Sequence, residues 1–209
     1  MEKKLENWTF TDLLNKTASA SPTPGGGSVS ALVGALGSAL VAMLGHLSVN
    51  KKQCPDQGAI ERIIRESEAE MKAMLAEAEK DVEAYNAVMA AYGAPKNSEE
   101  EKTIRLHLIQ EALKKATEVP LEAAGHCKKI LLLAEEAAEK GNPNVISDAI
   151  AGGLLAEAAL QSILLNVHVN LQLVHEEEWK KSLKEQMNLF SQEGMEIRSR
   201  LLGKMRGEE

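Results

Sequence analysis

The chain has 209 residues, of which 44% are hydrophobic and 26% are charged, so it is long enough and apolar enough to bury a core. Asp and Glu outnumber Lys and Arg by 31 to 24, and the net charge of -7 disfavours binding to nucleic acid or to an anionic membrane surface. Aromatic residues make up only 3%, and strand-like alternation is almost absent. The composition excludes a globally disordered chain and predicts an all-α protein with one domain over residues 1–209.

The cysteines and histidines argue against a metal site. Cys54 and Cys127 lie far apart and belong to no Cys-x-x-Cys pair, so neither a disulfide framework nor a cysteine zinc site is expected. The five histidines show no HExxH or comparable ligand spacing. The first ten residues lack the apolar segment of a secretory signal. These features predict a cytoplasmic protein without a bound metal.

The N-terminal region contains the strongest turn signal in the chain. Thr9 and Asp12 form a capping box ahead of a short amphipathic helix that should end before Pro22. The segment Ser21–Ser28, SPTPGGGS, then combines two prolines with three glycines and ends on a serine placed to cap the next helix. On its own this segment indicates either a tight turn or an anion cradle of backbone N–H groups. It matches neither a P-loop nor the dinucleotide-binding glycine pattern.

Residues 28–50 carry no formal charge and are about as long as a membrane span. Their apolar content is mostly Ala and Gly, with four serines and one histidine, which makes transfer into lipid unfavourable. A small membrane protein is therefore the weaker hypothesis. We expect a central helix in the core or at a dimer interface, where small residues allow close helix approach: Gly34, Ala35, Gly37, Ser38, Ala42 and Gly45.

A long amphipathic helix is predicted from Ile60 to Tyr92, because apolar residues recur there every three or four positions. Asp81 falls inside its apolar stripe instead of on the wet face. Burial in such a seam raises the pKa of a carboxyl group, which suits a general acid or base. The alternative is an aspartate at the helix edge, paired with Lys or Arg. The other members of the stripe are Met74, Ala78, Tyr85, Val88 and Tyr92.

The second half of the chain continues the helical pattern. Ser98 and Glu101 form another capping box, and Pro120 should interrupt or restart the helix that follows. After a stop at Gly141, residues 145–174 form a second largely uncharged helix, and an amphipathic helix closes the chain. Two buried helices surrounded by amphipathic ones predict a single-domain helical bundle with two largely buried Ala/Gly-rich helices.

Three polar residues on the second buried helix also need partners. Asp148 lies in its first turn, where the helix dipole favours a carboxylate, so a structural and a functional role explain it equally well. Asn166 and Asn170 lie further along the same helix. At about 1.5 Å per residue, Asp148 and Asn166 are roughly 27 Å apart, so they contact different ends of a long ligand or belong to different sites.

Several strings taken together resemble the cyclodeaminase/cyclohydrolase family of folate enzymes: SPTPGGGSVSALVGALGSALVAM, DVEAYNAVMAAYGAPKN, ATEVPLE, GNPNVISD and LNVHVNL. That family includes formiminotetrahydrofolate cyclodeaminase, which also forms half of an animal fusion enzyme, and stand-alone bacterial methenyltetrahydrofolate cyclohydrolases. The resemblance covers most of the chain. It implies an all-helical homodimer that binds a tetrahydrofolate substrate, with or without a polyglutamate tail, near the subunit interface and without a metal or redox cofactor.

The resemblance also implies roles for individual residues. Asp81 becomes the proton shuttle and Asp148 an orienting or charge-stabilising partner, although the two roles can be exchanged. Backbone N–H groups of Gly25, Gly26, Gly27 and Ser28 would position folate, and Asn166 and Asn170 would supply pterin or interface hydrogen bonds. Lys51, Lys52 and Lys96 would hold the glutamate tail, with exposed lysines of no special role as the alternative.

Between the two activities, the sequence slightly favours formiminotetrahydrofolate cyclodeaminase, which makes 5,10-methenyltetrahydrofolate and ammonia. The alternative is the cyclohydrolase, which opens the methenyl bridge to 10-formyltetrahydrofolate. A non-catalytic helical dimerisation protein is the second alternative. It would explain the Ala/Gly-rich helix but not a carboxylate in an apolar seam.

Overall fold

Six α-helices and two 3-10 turns form the regular structure of residues 4–206, the part of the chain that the computed structural model describes. The turns are Leu5–Asn7 and Pro143–Val145. No strand occurs among the described residues, so the all-α prediction is confirmed for them. The helices are α1 (Phe10–Thr17), α2 (Gly26–Ser48), α3 (Gln57–Tyr92), α4 (Glu99–Lys140), α5 (Ile146–Leu173) and α6 (Glu177–Arg206).

The helix starts follow the capping signals in two of the predicted places. The side chain of Thr9 accepts the backbone N–H of Asp12 at 3.1 Å, and that of Ser98 accepts the N–H of Glu101 at 3.1 Å. The prediction that Ser28 caps α2 is wrong. The cap position is three residues earlier, at Gly25, and it has no side-chain cap, so Ser28 lies within the first turn and its hydroxyl is free to bond elsewhere.

Helices α2 and α5 form the centre of the bundle and run antiparallel. A Cβ atom on Gly37 would lie 2.6 Å from the carbonyl oxygen of Gly152, so a larger residue at this crossing would force the helices apart. Near one end of the pair, Gly26 faces Asn166. At the other end, the N–H of Asn142, just before α5, bonds Ser48 Oγ at 2.8 Å. The predicted close approach of small residues is confirmed.

Two helical stretches, Gly26–Ser48 and Pro143–Leu173, are long and apolar enough to cross a membrane when length and composition alone are judged. Of their most apolar windows, 61% and 50% are buried inside the bundle. Core helices of water-soluble proteins have the same properties, so this is weak evidence for a membrane span. The prediction that the protein does not enter a membrane stays a prediction.

Helix α4 is continuous, whereas Pro120 was predicted to interrupt or restart it. A proline has no N–H, so the carbonyl of Ala116, four residues earlier, loses its helical donor. Asn170 on α5 replaces that donor, with its Nδ2 at 2.6 Å from the Ala116 oxygen. A partner from outside the helix thus satisfies the carbonyl that the proline leaves unpaired.

Candidate active site

A cleft of about 360 Å³ opens where the N-terminus of α2 meets α3, α4 and the C-terminal half of α5. Glycines and polar side chains form one part of its wall, and apolar and aromatic side chains form the rest. Its lining residues are Pro22, Thr23, Gly25, Gly26, Gly27, Asp81, Ala84, Tyr85, Val88, Met89, Tyr92, Leu113, Ala116, Asn166, Asn170 and Leu173.

Asp81 supplies the carboxylate of the cleft. It is half-buried, as its place in the apolar stripe predicts. The hydroxyl of Ser28 donates to Asp81 Oδ2 at 2.6 Å, and the backbone N–H of Ser28 also bonds this carboxylate. Burial raises the pKa of Asp81, while the two Ser28 hydrogen bonds oppose that shift without cancelling it. A carboxyl group in this state can exchange a proton with a bound substrate.

Because Gly27 has no side chain, the Asp81 carboxylate can pack directly against its backbone. A Cβ atom at position 27 would lie 2.6 Å from Asp81 Cγ and even closer to Oδ1. Gly26 is different, because a Cβ atom there would meet only the Asn166 amide, at 3.7 Å from Nδ2. The three-glycine turn therefore lets a carboxylate from α3 reach the first turn of α2.

Two asparagines line the cleft from α5 with fixed orientations. Asn166 Nδ2 donates to the carbonyl of Ser162 at 3.0 Å, and Asn170 Nδ2 donates to the carbonyl of Ala116 at 2.6 Å. Each amide therefore uses a donor within the protein. Each keeps its Oδ1 available to accept a hydrogen bond from a ligand.

The aromatic part of the wall comes from the same face of α3 as Asp81. Tyr85 and Tyr92 both line the cleft. The guanidinium of Arg105 on α4 lies 5.9 Å from the centre of the Tyr92 ring, and its Nη2 donates to the Tyr92 carbonyl at 3.0 Å. This arrangement places a cation beside a wall on which a flat ring system can stack.

The structure brings together one group of the predicted site residues. Gly25, Gly26, Gly27, Asp81, Asn166 and Asn170 all line the cleft, and Ser28 adjoins it through Asp81. Lys96 lies in the turn after Tyr92, at the cleft end of α3, but it does not line the cleft. Its proposed contact with a glutamate tail stays a prediction.

The structure does not bring Asp148, Lys51 and Lys52 to this cleft within one chain. Because α2 and α5 are antiparallel, the start of α5 and the residues after α2 lie together at the opposite end of the pair. Along α5 alone, Asp148 lies about 27 Å from Asn166. Within one chain the two predicted carboxylates, Asp81 and Asp148, therefore belong to different ends of the bundle, and the sequence spacing had separated Asp148 only from Asn166.

Sequence reasoning missed two features of the site. Tyr85 and Tyr92 were assigned to the apolar stripe of α3 but not to the cleft. Their spacing from Asp81 puts them on the same face of the helix, and this spacing could have predicted that they line the same site. The Ser28 to Asp81 hydrogen bond could not be anticipated, because it joins residues 53 positions apart on different helices.

Within residues 4–206, no three His, Cys, Asp or Glu side chains are placed so that they could hold a metal ion together. Both cysteines are buried and unpaired, and burial raises the pKa of the Cys127 thiol to about 12. The absence of a metal or redox cofactor in the working protein stays a prediction.

Comparison with known proteins identifies the family. The family model for formiminotransferase-cyclodeaminase matches residues 9–189. A methenyltetrahydrofolate cyclohydrolase from Methylorubrum extorquens is 44% identical over 190 residues, which cover 90% of this chain and 91% of that protein. The rat formimidoyltransferase-cyclodeaminase is 27% identical over 98% of this chain, but the match spans only 38% of the rat protein.

A solved structure agrees with the sequence matches. The crystal structure of formiminotetrahydrofolate cyclodeaminase from Thermotoga maritima superposes with a TM-score of 0.87 and 31% sequence identity. The superposition covers 97% of this chain and 98% of that one. By its match to the family model and by these relatives, the chain belongs to the formiminotransferase-cyclodeaminase family.

Proposed function

We propose that this protein is a 5,10-methenyltetrahydrofolate cyclohydrolase, which adds water to the methenyl carbon and releases 10-formyltetrahydrofolate. The observation that carries this proposal is the half-buried Asp81 carboxylate, held by Ser28 in a cleft with aromatic and amide walls. The 44% identical relative bears the cyclohydrolase name and matches over nearly its whole length. The comparisons therefore favour this activity over the cyclodeaminase that the sequence slightly favoured.

The reaction needs one group that accepts and then returns a proton. As water attacks the cationic methenyl carbon, Asp81 takes one of its protons and a neutral hydroxylated intermediate forms. Asp81 then returns this proton to N5 as the bond between the carbon and N5 breaks. The remaining hydroxyl proton leaves to solvent as the formyl C=O forms on N10. Cationic substrate and water thus give neutral product and one proton.

The same carboxylate also favours the charge of the substrate. The methenyl carbon is cationic before attack, and a partly desolvated carboxylate stabilises a nearby positive charge more than one in bulk water does. The oxygen acceptors of Asn166 and Asn170 suit the N–H groups of a reduced pterin ring, and Tyr85 and Tyr92 offer faces for stacking. We propose that the enzyme works without a metal or redox cofactor, since this chemistry requires only water and a proton carrier. We also propose that it is cytoplasmic.

Cyclodeaminase activity is the second candidate, and the solved structure at 31% identity bears that name. In that reaction N10 attacks the formimino carbon, and the carboxyl group of Asp81 would protonate the departing ammonia. The two activities share the methenyl carbon and differ in whether water or ammonia is exchanged, so the same cleft serves either.

Two absorbance measurements on purified protein separate the candidates. The cyclohydrolase predicts faster decay of the methenyltetrahydrofolate band than in buffer, with 10-formyltetrahydrofolate as product. The cyclodeaminase predicts growth of that band from 5-formiminotetrahydrofolate, with release of ammonia. Growth only in the second assay would replace the first candidate by the second, and no change in either would overturn both.

We also infer that the protein works as a homodimer through the outer face of α2 and α5. Both helices expose large apolar side chains, including Leu36 at 55% and Leu165 at 67%. Met43 and Leu47 on α2 and Val169 on α5 are also exposed. We infer that a second copy of this chain covers these exposed side chains, because it would also complete the cleft. A two-fold axis near the Gly37 and Gly152 crossing would place the Asp148 end of one chain beside the cleft of the other.

The dimer gives a role to the residues that lie far from the cleft in one chain. Asp148 would complete the partner's cleft as the orienting carboxylate. Lys51 and Lys52 would lie where the glutamate tail of a bound folate leaves the cleft, and Lys96 would approach the same tail from its own chain. A polyglutamate tail offers several carboxylates to these cations.

A further inference from the structure

The interior of α4 contains a proline, Pro120, that changes the hydrogen bonding of a residue in the wall of the cleft. Pro120 removes one backbone donor from the helix, and the carbonyl that loses its partner belongs to Ala116. A carbonyl left unpaired in a buried place is unfavourable. Asn170 Nδ2 donates to this carbonyl oxygen at 2.6 Å. Pro120 leaves the Ala116 oxygen without a helical donor, and Asn170 supplies one.

This contact decides which end of the Asn170 amide faces the cleft. A carbonyl oxygen only accepts hydrogen bonds, so the NH₂ end must face Ala116. Both Ala116 and Asn170 line the cleft. The amide oxygen of Asn170 is therefore left to accept a hydrogen bond from whatever the cleft contains.

We propose that Pro120 is a positioning residue for substrate binding, because it keeps the Ala116 carbonyl open to Asn170 and so fixes Asn170 Oδ1 as an acceptor for an N–H group of the pterin ring. The inference rests on the proposed function, since the reduced pterin supplies the N–H donors at its amino group and ring nitrogens. A ligand edge that carries only acceptors would gain no hydrogen bond from Asn170 Oδ1.

Replacing Pro120 by alanine should restore the helical donor to the Ala116 carbonyl. In Pro120→Ala the new backbone N–H competes for the Ala116 oxygen, and the Asn170 amide loses its anchor. Alanine favours the helix far more than proline does, so the variant should unfold at the same or a higher temperature. Weaker substrate binding without loss of stability is a result that a merely structural proline would not give.

The experiment compares wild type, Pro120→Ala, Asn170→Ala and the double variant by KM and kcat for methenyltetrahydrofolate. Loss of one oriented hydrogen bond should raise KM about fivefold in Pro120→Ala, while kcat stays within about twofold. Asn170→Ala should raise KM at least as much. The double variant should equal Asn170→Ala, because Pro120 acts only through Asn170. As a control, Leu121→Ala, which shortens a core side chain, should lower the unfolding temperature and leave KM unchanged.

Two results would overturn the inference: an unchanged KM in active Pro120→Ala, or a double variant in which the two increases multiply. Failure of the proposed function is recognised separately, as absence of turnover by wild type. In that case the same four proteins are compared by calorimetric Kd for 5-formyltetrahydrofolate, a stable reduced folate. Equal Kd values for wild type and Pro120→Ala would then overturn the role of Pro120.

Discussion

The hydroxyl of Ser28 donates to Asp81 Oδ2 across 2.6 Å and joins the first turn of α2 to the middle of α3. Ser28 is fully buried, so solvent does not compete for this bond. Two influences therefore meet at one carboxylate: burial favours its neutral form, and the two Ser28 donors favour its ionised form. A proton shuttle needs both forms to be accessible.

Replacing the carboxylate should remove most of the activity. Asp81→Asn keeps the size of the side chain but cannot accept and return a proton, so kcat should fall by about 10²–10⁴-fold. Steady-state kinetics on methenyltetrahydrofolate measure this loss. A kcat within a few-fold of wild type would show that another group moves the proton.

The same substitution should change how stability depends on pH. Because the folded pKa of Asp81 is raised, the unfolded chain ionises first as pH increases, and folding stability falls between the unfolded and the folded pKa. Asn does not ionise, but its amide has one acceptor oxygen where the carboxylate has two, and this loss of an acceptor for Ser28 lowers stability at every pH. The Tm of Asp81→Asn relative to wild type should therefore be higher at pH 7 than below the ordinary aspartate pKa of about 3.9. A Tm difference that is the same at both pH values would contradict the raised pKa.

Loss of the Ser28 hydroxyl should shift the pH dependence of the reaction. Ser28→Ala removes one of the contacts that lower the pKa of Asp81, so the pKa should rise further. If Asp81 acts ionised on water, the acid limb of kcat/KM should move to higher pH. Ser38→Ala is the matched control, because the Ser38 hydroxyl bonds the Ser67 carbonyl at 2.7 Å. An acid limb at the same pH in both variants would separate Ser28 from the proton transfer.

The two neighbouring glycines should respond differently to a methyl group. Gly27→Ala places its methyl in the space of the Asp81 carboxylate, which should cost about 1–3 kcal/mol of stability and displace the carboxylate. Gly26→Ala meets no atom closer than 3.7 Å and should unfold at nearly the wild-type temperature. Thermal unfolding of both variants tests this, and equal Tm values would argue against the close approach of α3 to α2.

The proposed dimer face can be tested by charge. Leu165→Glu should convert the dimer to a monomer in light scattering, because it places a carboxylate in an apolar interface. Leu132→Glu on α4 is the control, since Leu132 is also exposed, at 45%, but lies beside the charged groove of Arg62 and Lys129. A Leu165→Glu protein with the wild-type mass would place the interface elsewhere.

Mixing two inactive variants tests whether Asp148 works in the partner's cleft. Asp81→Asn and Asp148→Asn should each be impaired alone. In a mixed dimer one cleft regains both carboxylates, so random exchange of subunits should restore about one quarter of wild-type activity. No recovery in mixed dimers would show that both carboxylates act within one chain or that Asp148 has a structural role.

The sequence predicted the helices and the location of Asp81 because both depend on local spacing. Apolar periodicity placed the stripe that contains Asp81, and capping boxes marked the starts of α1 and α4. The failures concern contacts between helices. The continuity of α4 through Pro120 depends on Asn170, and the role of Ser28 depends on Asp81, so neither could be read from neighbouring residues. Resemblance to a family supplied the substrate, which periodicity alone does not.

Helix α2 is held near both ends, by the Asp81 carboxylate at Ser28 and by the Asn142 N–H at Ser48. A rod fixed in this way cannot slide along its axis without breaking a buried bond. Gly25, Gly26 and Gly27, which line the cleft at the start of α2, are therefore held in place along the helix axis before any ligand binds. Binding should cost little ordering entropy at these residues. Adjustment to substrates with tails of different length then falls to segments outside α2, such as the turn that follows the cleft-lining Tyr92 and carries Lys96.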